Sequence, residues 1–236
     1  NSVGSNVTVI EMLDHIGGPT DADIAKILLN NYKKKGINFC LKCKVTAVTA
    51  DGVSYEDENG KPVTVKADKV LCSIGRRAVT TGYGLENLNV YMERGAVKTD
   101  EYMKTSIAGL YAAGDINGVS MLAHTAYREG EVAINNILGK KDRMRYNAIP
   151  SVIYTNPEVG AVGETEASAK AKGYDVEVVK LTMNFSGRYV AENEGGDGIV
   201  KVIVDKKYNR ILGVHMIANY ASEIIYGAAM MVETEM

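Results

Sequence analysis

The chain has no tryptophan and two phenylalanines, which leaves tyrosine, with 14 copies, as its main aromatic residue. No function follows from that alone. Cysteine is scarce too: there are three, and a small odd number does not make a disulfide scaffold, so a reducing cytoplasm is the expected setting. No apolar run approaches the roughly 18 residues expected of a membrane-spanning helix. Charge of one sign is also missing: 27 Lys and Arg face 29 Asp and Glu, a net charge of -2, which gives no reason to expect a nucleic acid or an anionic membrane as partner. There is no signal peptide, internal repeat, low-complexity tract or P-loop. Asn1 is not a natural start, so an upstream segment is expected. What is present is 236 residues, 46% of them hydrophobic, enough for one large or two modest domains with a sizeable core.

The pattern in the first part is β/α. Val7–Ile10 reads as a strand closed by Glu11, and Asp21–Lys35 as a helix. Asp21 or Thr20 can cap that helix, Ile24, Ile27, Leu28 and Tyr32 form its buried stripe, and Gly36 ends it. The basic run Lys33–Lys35 lies in the last turn, where the helix dipole favours cations. An acidic residue ending the second strand of a dinucleotide-binding unit accepts hydrogen bonds from ribose hydroxyls. Taken alone, Glu11 is also what a solvated carboxylate at a strand end looks like. If it is the ribose acceptor, the Gly-rich turn belongs about 20 residues upstream, before residue 1, and Glu11 would repel a 2′-phosphate, favouring NAD over NADP. Cys40-Leu41-Lys42-Cys43 could be a redox pair or half of a zinc site. No second C-x-x-C and no histidine at ligand spacing accompany it. It lies in the extended segment 37–49, where positions three apart point to opposite faces, so the pair reads as structural.

Two short runs, 53–56 and 63–66, flank Asn59-Gly60 and read as a hairpin. Lys69–Ile74 reads as a buried strand ending in Gly75-Arg76-Arg77, where glycine permits close backbone approach to a ligand or simply makes a tight turn. Leu110–Asp115 reads as another buried strand, stopping in Gly-Asp at the carboxyl edge of a parallel sheet, where such sheets bind ligands. Asp115 could accept hydrogen bonds from ligand hydroxyls or cap a helix. Met121-Leu122-Ala123-His124 follows, then a helix over 125–138 ended by Gly139. A lone His124 is also what a satisfied core histidine looks like.

Past a polar boundary near 140–148 the pattern changes to strand pairs: 151–154, 159–162, 176–183, 199–204 and 211–217. Helices are expected over Glu166–Lys172, capped by Thr165 and stopped by Gly173, and over Tyr220–Glu233. Val200, Val202 and Val204 alternate with polar residues, as in a half-buried antiparallel strand.

The joint spacing of Leu110–Asp115 and Met121–His124 resembles the second flavin-binding motif of the pyridine nucleotide–disulfide oxidoreductases, most closely the dihydrolipoamide dehydrogenase branch. The resemblance extends over nearly the whole chain, and Tyr154-Thr155-Asn156-Pro157-Glu158-Val159-Gly160 matches the opening of that family's dimerisation domain. It implies an α/β fold: a partial FAD/NAD(P)-binding Rossmann-like region followed by an α+β dimerisation domain. The boundaries implied are 1–79 for part of the NAD-binding domain, 80–147 for the C-terminal part of the FAD-binding domain, and 148–236 for the dimerisation domain, incomplete at its C-terminus. It further implies FAD held by Asp115 and lying along Met121, Leu122, Ala123 and His124, and NAD contacted by Glu11, Val45 and Gly75. The usual proline after the arginines is Ala78 here.

The activity implied is transfer of electrons from dihydrolipoamide through a cysteine pair and FAD to NAD, in a homodimer that serves the lipoyl domain of a 2-oxoacid dehydrogenase or glycine cleavage complex. The family's redox cysteines have four residues between them, unlike Cys40 and Cys43, and its catalytic His–Glu pair would lie past Met236. Neither His15 nor His215 matches it. No catalytic or metal-binding residue is therefore expected in this chain, which should be inactive alone. A dimerisation or binding module, and a related reductase of the mercuric or soluble transhydrogenase type, are the alternatives.

Overall fold

The computed structural model describes every residue from 1 to 236. By its contacts the chain divides into two units, residues 1–72 with 150–236, and residues 73–149. In the first, β1 (Thr8–Ile10), α1 (Ala22–Lys34) and β2 (Asn38–Cys40) form a crossover in which β1 and β2 are parallel. Asp21 caps α1, its carboxylate accepting the Asp23 N–H at 3.1 Å. Ile24, Ala25 and Leu28 are buried, and Ile27 and Tyr32 pack beside them. The strands β3 (Lys44–Thr49), β4 (Gly52–Glu56) and β5 (Pro62–Lys66) form an antiparallel sheet. The expected hairpin is β4–β5; Asp57 Oδ1 accepts the Asn59 and Lys61 N–H groups, each at 2.9 Å, and shapes the turn.

The stretch from 37 to 49 is not one extended segment. Glu11 N–H donates to Cys40 O and Cys43 N–H donates to Glu11 O, both at 2.9 Å, so two residues, Leu41 and Lys42, stand opposite one. Lys42 takes φ +56°. This is a bulge, and a bulge shifts the alternation of side chains by one position. Cys40 and Cys43 consequently face the same cavity instead of opposite sides.

Two of the expected strands do not form. Lys69–Ile74, at the boundary of the two units, has no strand, and Leu71 and Ile74 are 90% and 93% exposed. Leu110–Asp115 has a single bridge, Tyr111 with Lys104, and Asp115 begins a short 3-10 turn, Asp115–Asn117. An extended run becomes a strand only when a neighbour takes its N–H and C=O groups, and no strand of this chain pairs with either. The regular strands and α-helix between 73 and 149 are the two-residue strands β6 (Met92–Glu93) and β7 (Ala96–Val97) and the helix α2 (Ala123–Ile137). Leu85, Val90, Val97 and Ala112 make one small core, and Met103, Val132, Ala133 and Met144 another.

From 150 onward come β8 (Ser151–Ile153), β9 (Glu158–Gly163), α3 (Glu166–Ala171), β10 (Val176–Thr182), α4 (Gly187–Glu192), β11 (Ile199–Asp205), β12 (Arg210–Ala218) and α5 (Ala221–Glu233). The strands form one antiparallel sheet in the order β10-β11-β12-β9-β8. Thr165 caps α3 as expected, in a capping box with Ser168. No local pattern had indicated α4. Helix α5 lies against β9 at Gly160, where a β-carbon would stand 2.9 Å from Ala221 O. On the same sheet, Val159 and Ile217 pack with Ile24 and Leu28 of α1.

One face is the reverse of the sequence reading. Along β11 the valines 200, 202 and 204 are only partly buried, and the fully buried set is Lys201, Ile203 and Asp205. Lys201 can be buried because its Nζ lies 3.0 Å from Asp21 Oδ2, 2.8 Å from Asp23 Oδ2 and 2.9 Å from Glu166 Oε2. Burial pushes its ammonium towards neutrality, but the carboxylates of Asp23, Glu166 and Asp21 outweigh this and hold its pKa above the ordinary lysine range. No helix is long and apolar enough to cross a membrane.

Candidate functional site

Two sets of residues stand out, one in each unit. In residues 73–149, Asp115 is exposed and lines a cavity of about 420 Å³ with Arg76, Arg77, Val79 and Ile116. The backbone before it is held from below. Gly114 has φ +84° and ψ -160°, a conformation open essentially to glycine alone. Its N–H donates to Glu129 Oε2 at 2.5 Å, and the Tyr146 hydroxyl donates to Glu129 Oε1 at 2.7 Å. Glu129 is completely buried. Burial first, and the Glu129 carboxylate second, push the Tyr146 phenol above its usual range, so it stays protonated and donating. A β-carbon on Gly114 would meet the Ala126 methyl at 3.4 Å, so the turn carrying Asp115 sits against the first turns of α2.

Met121 and Leu122, half-buried, lead into α2, and Ala123 and His124 are its exposed first residues. Leu122 at the cap supplies no side-chain oxygen to the first amides, whose N–H groups have no acceptor within the helix. The Ser120 and Thr125 hydroxyls are 2.9 Å apart and brace this entry. Gly75 has φ +105° and open space where a side chain would begin, next to the cavity-lining Arg76. The structure therefore groups Gly75's neighbour with Asp115, and Asp115's turn with the start of α2.

The other set lies in residues 1–72. Glu11 is half-buried, and its Oε1 accepts the Leu13 N–H at 2.9 Å. Its backbone is clamped on Cys40 and Cys43. Val45, 43% exposed, lies in β3 two residues after Cys43, opposite Tyr55. Glu11 and Val45 are thus tied through the same bulge.

Sequence reasoning missed Glu129 and Tyr146. A signal existed for the first: Thr125, Glu129, Val132 and Ala133 form the buried stripe of α2, and an acidic residue in such a stripe must be paired. Tyr146 lies in the polar segment that read only as a boundary, and no local pattern marks it. No cluster of three or more His, Cys, Asp or Glu is placed to hold a metal ion.

Residues 1–130 match the pyridine nucleotide-disulphide oxidoreductases, and residues 149–236 match the dimerisation domain of the same family. Among curated relatives, the dihydrolipoyl dehydrogenase of Cupriavidus necator is 37% identical over 236 residues, covering 98% of this chain and 50% of the relative. The mitochondrial dihydrolipoyl dehydrogenase of Schizosaccharomyces pombe is 39% identical over 237 residues, covering 98% and 46%. A leghemoglobin reductase of Glycine max is 37% identical over 233 residues, covering 96% and 44%. The chain spans about half the length of the curated relatives it matches. Among solved structures, LpdA of Mycobacterium tuberculosis superposes with a TM-score of 0.86 at 27% identity, covering 99% of this chain and 51% of that one. The flavoprotein disulfide reductase RclA of Escherichia coli gives 0.82 at 26% identity, covering 98% and 53%. A match that runs through both the nucleotide-binding region and the interface region places this chain in the pyridine nucleotide-disulphide oxidoreductase family.

Proposed function

We propose that this chain forms part of a dihydrolipoyl dehydrogenase, in which FAD and NAD carry electrons away from dihydrolipoamide after they have passed through a cysteine pair. The observation that carries the reading is Asp115: an exposed carboxylate on a turn fixed by a buried acid and packed on the start of α2. A carboxyl group there fits a polyol, since its oxygens can accept hydrogen bonds from hydroxyls. Met121, Leu122, Ala123 and His124 would line the flavin side. Glu11 would accept from the adenosine ribose of NAD, Val45 would lie beside the adenine and Gly75 near the nicotinamide half. The domain boundaries at 79 and 147 belong to the same reading.

Titrating FAD into the chain tests it. Asp115→Asn should weaken binding by about tenfold or more, the worth of one charge-assisted hydrogen bond; equal affinities for the two chains would overturn the assignment. The 236-residue polypeptide has no C-x-x-x-x-C, and we expect no lipoamide-dependent NADH formation from it alone.

A second reading concerns assembly. A dimerisation domain is present, and α5 exposes Ile224, Tyr226, Met230 and Met231, an apolar face suited to a second copy. In the homodimer we propose, that face is covered, and sedimentation should give a mass above 25.5 kDa that depends on concentration. The lipoyl domain of a 2-oxoacid dehydrogenase or glycine cleavage complex would be the partner, in the cytoplasm.

A further inference from the structure

The bulge after β2 sets Cys40 and Cys43 on one side of the chain. Their separation is effectively two residues rather than three, about 6.6 Å of strand rise. A disulfide spans α-carbons up to roughly 6.8 Å apart. Both thiols are free and line a cavity of about 420 Å³ with Phe39, Leu41 and Tyr55. They differ in surroundings. Cys40 is half-buried and accepts the Tyr55 hydroxyl at 3.4 Å on its sulfur. Cys43 is 5% exposed, with its S–H directed to Leu41 O at 3.2 Å.

We propose that Cys40 and Cys43 are a reversible dithiol–disulfide site that reacts with small-molecule disulfides such as oxidised glutathione. Cys40, the more accessible, reacts first: its thiolate attacks one sulfur of glutathione disulfide, a Cys40–glutathione bond forms, and one glutathione thiolate leaves and takes up the proton. Cys43 then loses its proton and attacks the Cys40 sulfur, and the second glutathione leaves. The two cysteines are oxidised by two electrons, and one glutathione disulfide becomes two glutathiones. Burial, then the neighbouring Cys40, push the Cys43 thiol up, and the Tyr55 phenol is pushed up to about 12, first by its hydrogen bond to Cys40. Both groups therefore stay protonated at neutral pH, and the exchange is slow, in the range of minutes to hours.

The parent for the test is the full chain carrying Cys72→Ala, since Cys72 is exposed and would react independently. Incubated with excess oxidised glutathione, it should lose both thiols together and about two mass units, the two hydrogens. Trypsin cleaves after Lys42, so the fragments ending at Lys42 and beginning at Cys43 should stay joined until dithiothreitol is added. Adding Cys43→Ala should leave a stable glutathione adduct on Cys40. Adding Cys40→Ala should slow the reaction at least tenfold, because only the buried thiol remains. A lasting glutathione adduct on the parent, or unchanged thiols in it, would overturn the proposal. Because the parent keeps both cysteines, that result stands whether or not either further variant folds.

Discussion

The sheet of β8 to β12 and the backbone around 69–74 and 110–115 contain apolar runs of similar length, yet only the runs in the sheet are strands. Composition does not separate them. In the sheet every run has a neighbour within the same chain, down to the register of Val159 with Ile217 and of Val178 with Ile203. Leu71 and Ile74 have none and point into solvent. An apolar run marks where a strand can be; a second run to bond with decides whether it is one.

The two units differ again in how they bury charge. Residues 1–72 with 150–236 bury a lysine among carboxylates, while residues 73–149 bury the carboxylate of Glu129 beneath a backbone N–H and a phenol. Lys201→Met is the strongest test of that contrast. It leaves Asp21, 3% exposed, without its counter-ion and should cost about 3–5 kcal/mol in urea unfolding, the usual cost of breaking a buried ion pair. Adding Asp21→Asn should recover part of the loss. If Lys201→Met is neutral instead, packing and not charge pairing holds β11 to α1. Next in size, Glu129→Gln should cost about 1–3 kcal/mol, because one of two buried donors loses its acceptor. The loss should appear as faster hydrogen exchange at the Gly114 amide, with little change at Ile217.

A pH series sharpens the comparison further. His215 is 2% exposed; its Nε2 lies 2.8 Å from Glu164 O, and Nδ1 has no partner. Burial is the main reason its pKa lies below the usual 6.5. The unfolded chain then binds the proton more readily than the folded one, so stability is complete above 6.5 and falls as the pH drops below it. The slope should reach up to about 1.4 kcal/mol per pH unit, and His215→Gln should flatten it. The smallest effect belongs to the other unit. Asp142 accepts from Arg128 Nη1 and Nη2 at 2.8 and 2.6 Å, and chiefly for that reason its carboxyl is lowered from 3.8 to about 2. Its folded pKa is depressed, so its contribution is present above 3.8 and lost as the pH falls to about 2. Asp142→Asn should change acid unfolding only in that window.

Much of the fold was legible locally. The Asp21 cap, the Gly36 stop, the Asn59-Gly60 turn and the Thr165 cap each act within a few residues, and all five strands of the large sheet carried their own pattern. What escaped depends on distance. The buried face of β11 could not be read from its valines, because Lys201 is neutralised by Asp21, Asp23 and Glu166, which lie on other elements. The C-x-x-C spacing pointed to opposite faces until the bonds to Glu11 inserted a bulge. For the site, Asp115 and Met121–His124 were visible as a motif, whereas Tyr146, which holds the supporting acid, lies 17 residues from Glu129 in a segment without pattern.

Asp21 both opens α1 and grips Lys201 across 180 positions of sequence. During synthesis, then, the ribosome exposes this helix long before its anchor has been made. Until β11 emerges, α1 has its cap but not its counter-charge, so a helix translated early becomes secure only late.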